Sequence, residues 1–128
     1  MTERCKLIVQ KALAVVRPQF RLHFKGGIHG LPHWSRVWFH GKALAAGLDV
    51  DPAVLAWFAF LHDSQRHNDD WDPPHGSRAA DFAVRLRREG VIDELDAAGF
   101  ERLCEACYVR RYFGPAQTRC SEDFQRPL

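Results

Sequence analysis

The feature that most constrains the fold is an apolar run that ends in a histidine and an aspartate. The run VLAWFAFL is followed directly by His62 and Asp63. Asp49 or Asp51 can cap a helix at the start of this run, and Pro52 suits its first turn. A helix that is apolar nearly all round is buried on every side. The sequence therefore predicts a central helix, with the remaining helices packed around it.

Apolar periodicity and helix-boundary residues predict four further helices. Their expected bounds are Thr2–Val16, Pro32–Ala46, Ser77–Gly90 and Asp93–Tyr108. We expect an extended segment over Gln19–Gly30, with a loop at the glycines of KGGIHG, and the alternation in FRLHF is too brief to predict a strand. The fold class is thus predicted to be all-α, a compact bundle of about five helices over residues 1–114, followed by a tail over residues 115–128.

The expected core face of the second helix consists of Trp34, Val37, Trp38, Gly41, Leu44 and Ala45. We expect His40 to pack between Trp38 and Leu44. Trp57 and Trp71 are also expected to be mainly core, although Trp71 lies in an acidic loop and is placed to stack on a planar ring. The cysteines of the CEAC motif, Cys104 and Cys107, are interpreted as core residues in preference to a zinc or redox pair.

Composition excludes several classes of protein. The 128 residues are 46% hydrophobic and carry a formal net charge of +2, which indicates one domain without a global basic surface for nucleic acid. The four cysteines follow no secretory signal segment, so a reducing, cytoplasmic environment is expected. No apolar run reaches the roughly 18 to 20 residues of a membrane-spanning helix. We expect no membrane and no specific nucleic-acid partner, and a homo-oligomer is compatible with the sequence.

The stretch after the apolar run is acidic within a mildly basic chain. Asp63, Asp69, Asp70 and Asp72 stand there against the single Arg66. Such a cluster attracts cations. An ionised Asp63 beside an apolar core also costs several kcal/mol unless a counter-charge or a metal compensates it.

A third ligand for an ion at His62 and Asp63 must come from another helix. The second helix offers His33 in its first turn and His40 two turns later. These two residues are roughly 10 Å apart along the helix, too far to share one ion. Only one of them can therefore serve.

Three stretches of the chain occur at intervals typical of a known superfamily. They are HGLPHW, FAFLHDSQRHND and HGSRAA. His33, followed four residues later by Val37, and the His-Asp doublet that ends an apolar helix resemble the HD-domain superfamily of metal-dependent phosphohydrolases. The resemblance covers Gly30–Gly90, about half of the chain.

The resemblance implies a metal site. In the family two histidines, an adjacent aspartate and a later aspartate hold a divalent metal, and His33, His62 and Asp63 match the first three positions. For the fourth position the alternatives are a tail that folds back with Asp123, a water molecule, His75, or a chain that lacks the family's C-terminal portion. Mixed nitrogen and oxygen ligands suit one divalent transition metal, Mn, Fe, Co, Ni or Zn, better than Ca.

The resemblance also implies hydrolysis of a small phosphoester or nucleotide by a metal-activated water. The alternative is a degenerate member that binds a metal or a phosphorylated ligand without turnover. Arg66 is the first choice for binding phosphate, because a guanidinium can bind two of its oxygens. The residues assigned to substrate binding are Arg36, Arg66, Arg78 and His75, and those assigned to catalysis are Asp63, Arg66, His67 and Asp69.

Overall fold

The computed structural model describes residues 2–109, and this part of the chain folds into five α-helices without a strand. The helices are α1 (Glu3–Val16), α2 (Leu31–Ala45), α3 (Pro52–Leu61), α4 (His75–Arg88) and α5 (Ala97–Val109), and a 3-10 turn (Arg17–Gln19) follows α1. The predicted all-α bundle is confirmed. The predicted domain boundary at residue 114, the tail and Asp123 lie outside the described residues.

The apolar helix α3 is central, as predicted. It packs against α1, α2 and α5, while α4 packs on α5. Asp51 caps α3, because its side chain accepts a hydrogen bond from the Ala53 amide at 2.9 Å. The buried residues of α3 are Ala53, Val54, Ala56, Trp57, Ala59, Phe60 and Leu61. Within residues 2–109 no helix has the length and apolar character needed to cross a membrane.

The last two helices begin at different residues from those predicted. α4 begins at His75, two residues before the expected start, and α5 begins at Ala97, four residues after it. Asp96 explains the second difference, because its carboxylate accepts from the Gly99 amide at 2.7 Å and its carbonyl accepts from Phe100. The start of α5 is therefore set by the capping residue Asp96 and not by the longer apolar pattern.

The C-terminal half of α2 corrects two predictions. Trp34 and Trp38 are buried, but Leu44 is 80% exposed. His40 is exposed beside Phe39, with ring centroids 5.5 Å apart, and is not packed between core residues. α2 crosses α3 mainly through its first half, so the apolar stripe that the sequence predicts continues past the surface that could cover it.

The segment before α2 is irregular over residues 20–23 and forms turns over residues 24–30, as the glycines of KGGIHG predicted. The His23 carbonyl accepts from the Gly27 amide at 3.0 Å, and the Phe24 carbonyl accepts from Leu31 at 2.7 Å. The rings of Phe20 and Phe24 pack edge-on against Trp34, with ring centroids 4.9 and 5.7 Å away. The alternating apolar residues thus cover one tryptophan instead of forming a strand.

The cysteines of CEAC are buried on α5. Burial, with smaller contributions from the charges of Asp81 and Glu105, raises the pKa of the Cys104 thiol to about 11. The thiol is therefore protonated at neutral pH, which does not favour a nucleophile or a metal ligand. Cys107 is fully buried. Both positions agree with the interpretation of these residues as core.

A largely buried ion pair ties α1 and α3 to the segment before α5. Lys11 Nζ lies 2.6 Å from Glu94 Oε2 and 3.0 Å from Asp93 Oδ1, and Trp57 Nε1 donates to Glu94 Oε1 at 3.0 Å. Burial disfavours the charged form of Lys11, but the hydrogen bonds to Glu94 and Asp93 outweigh it and raise the pKa of Lys11. Glu94 therefore accepts from two helices at once.

We expect Glu94→Ala to lower the free energy of unfolding by about 3 kcal/mol, because it leaves the Lys11 ammonium and the Trp57 N–H without their acceptor. Glu94→Gln keeps an acceptor for Trp57 and should cost less. Because the pKa of Lys11 is raised, its contribution is complete below the ordinary value of 10.5 and is lost as the pH rises through the folded-state value. Urea unfolding at neutral and alkaline pH measures both effects. An equal alkaline loss in wild type and Glu94→Gln would contradict this assignment.

Candidate metal centre

The end of α3 places two polar side chains in the protein interior. His62 is the C-cap residue and Asp63 follows it, and their side chains are 0% and 2% exposed. His62 Nδ1 lies 2.9 Å from the Ala59 carbonyl oxygen and 3.1 Å from that of Phe58. Because a carbonyl oxygen can only accept, Nδ1 carries the proton, and Nε2 of the neutral ring presents a lone pair. The backbone of α3 thus orients the ring so that Nε2, and not Nδ1, is the nitrogen available to a ligand.

The first turn of α2 supplies His33. A close approach of chain segments fixes where this helix begins, since a Cβ at Gly30 would overlap the carbonyl oxygens of His23 and Phe24. His33 lies three residues after Gly30, and its side chain is 25% exposed. The site therefore opens to solvent on the side of α2 and is closed on the side of α3.

Three ligand atoms from these two helices meet in a small triangle. Asp63 Oδ2 lies 3.2 Å from His33 Nε2 and 3.2 Å from His62 Nε2, and the two nitrogens are 3.4 Å apart. Ligand atoms bound about 2.1 Å from one ion are separated by about 3.0 Å at right angles and about 3.4 Å at the tetrahedral angle. The observed triangle fits this range. The residues predicted as metal ligands are thus within reach of one ion.

The electrostatics of the triangle favour a cation. Asp63 Oδ2 is buried and has no hydrogen-bond donor among the described residues. Burial alone would raise the pKa of the Asp63 carboxyl, but the imidazoles of His33 and His62, in their protonated form, and the charge of Arg66 hold that pKa well below its usual range. The ionised carboxylate therefore requires positive charge at Oδ2, either from protonated imidazoles or from a metal ion. The residues present fit a metal ion.

Arg66 holds the other oxygen of the same carboxylate. Its Nε atom lies 3.1 Å from Asp63 Oδ1, and its Nη1 atom donates to the carbonyl oxygens of Asn68 and Asp70, at 3.3 Å each. Nη2 has no partner within residues 2–109. The guanidinium therefore orients Asp63, so that Oδ2 faces the histidines, and keeps one nitrogen available for an anion.

His75 approaches Asp63 from the start of α4. Its Nδ1 atom donates to the Asp72 carbonyl at 2.6 Å, so the lone pair of the neutral ring is on Nε2, which lies 3.6 Å from Asp63 Oδ1. Burial is the largest influence on this group, and the pKa of His75 is lowered. The ring is therefore neutral at neutral pH. Its position beside the carboxylate, opposite the triangle, makes it the nearest further imidazole.

The structure places the other predicted site residues away from the triangle. Arg78 makes a two-contact ion pair with Asp72, with both oxygens 2.6 Å from Nη2. His67 is exposed, and its amide donates to Asp72 Oδ2 at 2.7 Å. Arg36 is exposed on α2 and makes no ion pair within residues 2–109. These side chains border the acidic loop, and Arg78 and Asp72 hold it together.

The contact that sequence reasoning missed is a bridge between His29 and Asp69. His29 Nδ1 lies 2.9 Å from Asp69 Oδ1, and the His29 ring is 6.0 Å from the His33 ring, centroid to centroid. This bridge joins the loop before α2 to the loop after α3 beside the candidate ligands. The spacing of His29 four residues before His33 was the available signal, but a loop residue at that spacing has no fixed direction.

The arrangement can bind a divalent transition metal through two imidazoles and one carboxylate. Two of these ligands are also held in orientation by further hydrogen bonds. His62 donates to the carbonyl oxygens of α3, and Arg66 donates to Asp63. Comparison of the chain with protein-family models, with curated proteins and with solved structures found no match.

Proposed function

We propose that this protein is a metal-dependent phosphohydrolase of the HD-domain type. The observation that carries the proposal is the triangle of His33 Nε2, His62 Nε2 and Asp63 Oδ2, with sides of 3.2, 3.2 and 3.4 Å, in which the buried carboxylate oxygen has no geometric hydrogen-bond partner among the described residues. One divalent transition metal, Mn, Fe, Co, Ni or Zn, is the proposed cofactor. When bound, such an ion supplies a water of lowered pKa and polarises a phosphoryl oxygen.

Residues of the chain supply charge balance, access for the substrate and contacts to the phosphate. Asp63 balances the positive charge, and His33 leaves the site open to a substrate on the side of α2. Arg66 is the proposed phosphate ligand, because Nη2 is unengaged among the described residues while Nε stays on Asp63. His75, neutral and beside Asp63, is placed to accept a hydrogen bond from a protonated phosphate oxygen.

The second candidate is a protein that binds a metal or a phosphorylated ligand without hydrolysing it. The observation that favours it is the small ligand set: within residues 2–109 the group that can hold an ion contains three residues and a single carboxylate. The acidic residues of the adjacent loop are used elsewhere, Asp69 on His29 and Asp72 on Arg78. A site of this kind can bind an ion firmly and still lack a reactive geometry.

Metal analysis followed by a hydrolysis assay separates the candidates. Protein purified without chelator is expected to contain about one transition-metal ion per chain. We expect the metal-loaded protein to hydrolyse p-nitrophenyl phosphate, and chelation to stop the reaction. A stoichiometric metal without turnover under any of the five ions would favour the binding protein. Metal-free protein that takes up none of the five ions would contradict both candidates.

A further inference from the structure

Trp71 is an exposed tryptophan in a chain whose other tryptophans are buried. It is 84% exposed, whereas Trp34, Trp38 and Trp57 are at most 6% exposed. A single exposed apolar side chain needs no explanation by itself. The position of Trp71, on a pinned loop beside the candidate metal centre, is what makes it informative.

The loop that carries Trp71 is held in place from both sides. Arg66 donates to the Asp70 carbonyl, which immediately precedes Trp71 in the chain, and Asp72, which follows it, is fixed by the ion pair with Arg78. Both neighbours of the tryptophan are thus anchored through charged hydrogen bonds. A ring presented on such a loop loses little conformational entropy when a ligand stacks on it.

The same contacts limit the distance between the backbone of Trp71 and the candidate metal centre. Asp63 Oδ1 lies 3.1 Å from Arg66 Nε, and Arg66 Nη1 lies 3.3 Å from the Asp70 carbonyl oxygen. With the dimensions of the guanidinium and of the peptide unit added, the backbone nitrogen of Trp71 lies within about 11 Å of Asp63 Oδ1. A nucleoside monophosphate is comparable in length, from its phosphate to the far edge of its base.

The His29–Asp69 bridge has an exposed apolar residue close by in sequence on each side. Ile28 is 66% exposed and directly precedes His29, while Trp71 follows Asp69 by two residues. The bridge therefore joins two loops that each carry one large exposed apolar side chain.

We propose that Trp71 is the platform on which the base of a nucleoside monophosphate stacks while its phosphate lies at the metal centre. The placement of the phosphate at the metal centre rests on the proposed function, whereas the stacking of the base rests on the exposure and position of Trp71. Stacking on an aromatic side chain accepts any base, because every base has a π-face. The exposed carboxylates of Asp69 and Asp70 repel further phosphates, which favours a monophosphate over a triphosphate.

Adenosine 5′-monophosphate and ribose 5-phosphate test the platform, because the sugar phosphate carries a hydroxyl group where the nucleotide carries its base. We expect calorimetry on the metal-loaded protein to show that the nucleotide binds about 5- to 150-fold more tightly than the sugar phosphate. Trp71→Ala should remove this difference and leave the affinity for ribose 5-phosphate within about twofold. Phe39→Ala, which removes an exposed aromatic ring from the outer face of α2, should leave the difference intact.

The outcomes separate this inference from the proposed hydrolysis. Equal affinity of wild type for the two ligands, or a preference for the nucleotide that survives in Trp71→Ala, would overturn the platform. A preference that depends on Trp71 without release of phosphate would support the platform and count against the hydrolase. Release of phosphate from both ligands with equal KM would support the hydrolase and overturn the platform. Failure of both ligands to bind would overturn both.

Discussion

Asp63→Asn is expected to abolish the proposed metal binding and, with it, the proposed hydrolysis. Replacement of the carboxylate removes the only charged ligand of the triangle, so metal affinity should fall by more than the roughly 100-fold that follows loss of an outer contact. The asparagine amide nitrogen would also lie about 3.2 Å from two histidine lone pairs, where it can donate to them. In the variant, hydrogen bonds from the asparagine amide to the histidines would thus replace the ion.

Thermal unfolding gives a readout of this change that does not depend on activity. Free metal at 100 times its Kd should stabilise the wild type by about 2.7 kcal/mol and leave Asp63→Asn unchanged. Without metal, the variant should be less stable than the wild type, because Arg66 loses its charged partner. An ordinary structural role for Asp63, as a partner of Arg66 alone, predicts no thermal shift on adding metal in either protein.

Asp70→Asn is the matched control for the loss of one negative charge nearby. Asp70 is exposed in the loop after α3, and its side chain lies outside the triangle. It should keep about one metal ion per chain and the full thermal shift on adding metal. Retention of a full equivalent of metal by the Asp63→Asn variant would contradict the assignment of Asp63 as a ligand.

The parts of the fold that the sequence predicted well have local causes. α3 could be located closely because Asp51 is one of its two candidate caps, Pro52 opens it and an apolar run fills it. The position of the triangle followed from the His-Asp doublet at the end of that helix. The start of α5 was misplaced for an equally local reason, since Asp96 offered a second cap that the apolar pattern did not reveal.

The parts that the sequence could not predict depend on which distant groups meet. Arg78 looks like a phosphate ligand in the sequence, but in the structure it is paired with Asp72. Asp69 was expected to take part in catalysis, and the sequence did not predict its contact with His29. Trp71 was expected to lie mainly in the core, because tryptophan is a large apolar residue, but its side chain is exposed to solvent. For each of these, the neighbour that decides the environment comes from another element, and no periodicity encodes it.

Gly76→Ala is expected to be strongly destabilising although it adds only a methyl group. Gly76 lies in the first turn of α4, where a Cβ would overlap the backbone carbonyl oxygen of Cys107 on α5. A backbone atom cannot move aside as a side-chain end can, so α4 and α5 must separate. We expect a loss of about 3 kcal/mol in the free energy of unfolding, measured by urea titration.

Gly41→Ala makes the same chemical change on another helix and should have the opposite sign. A Cβ at Gly41 would meet Leu55 Cδ2 at 3.6 Å, an ordinary contact. Alanine in the interior of α2 should therefore stabilise the protein by about 0.5 to 1 kcal/mol, through the lower entropy of its unfolded chain. Effects of the same sign at the two positions would contradict the close packing of α4 on α5.

His75 directly precedes Gly76, so the packing of α4 on α5 also determines how near the His75 imidazole lies to Asp63. The metal affinity of Gly76→Ala therefore measures whether His75 takes part in the centre.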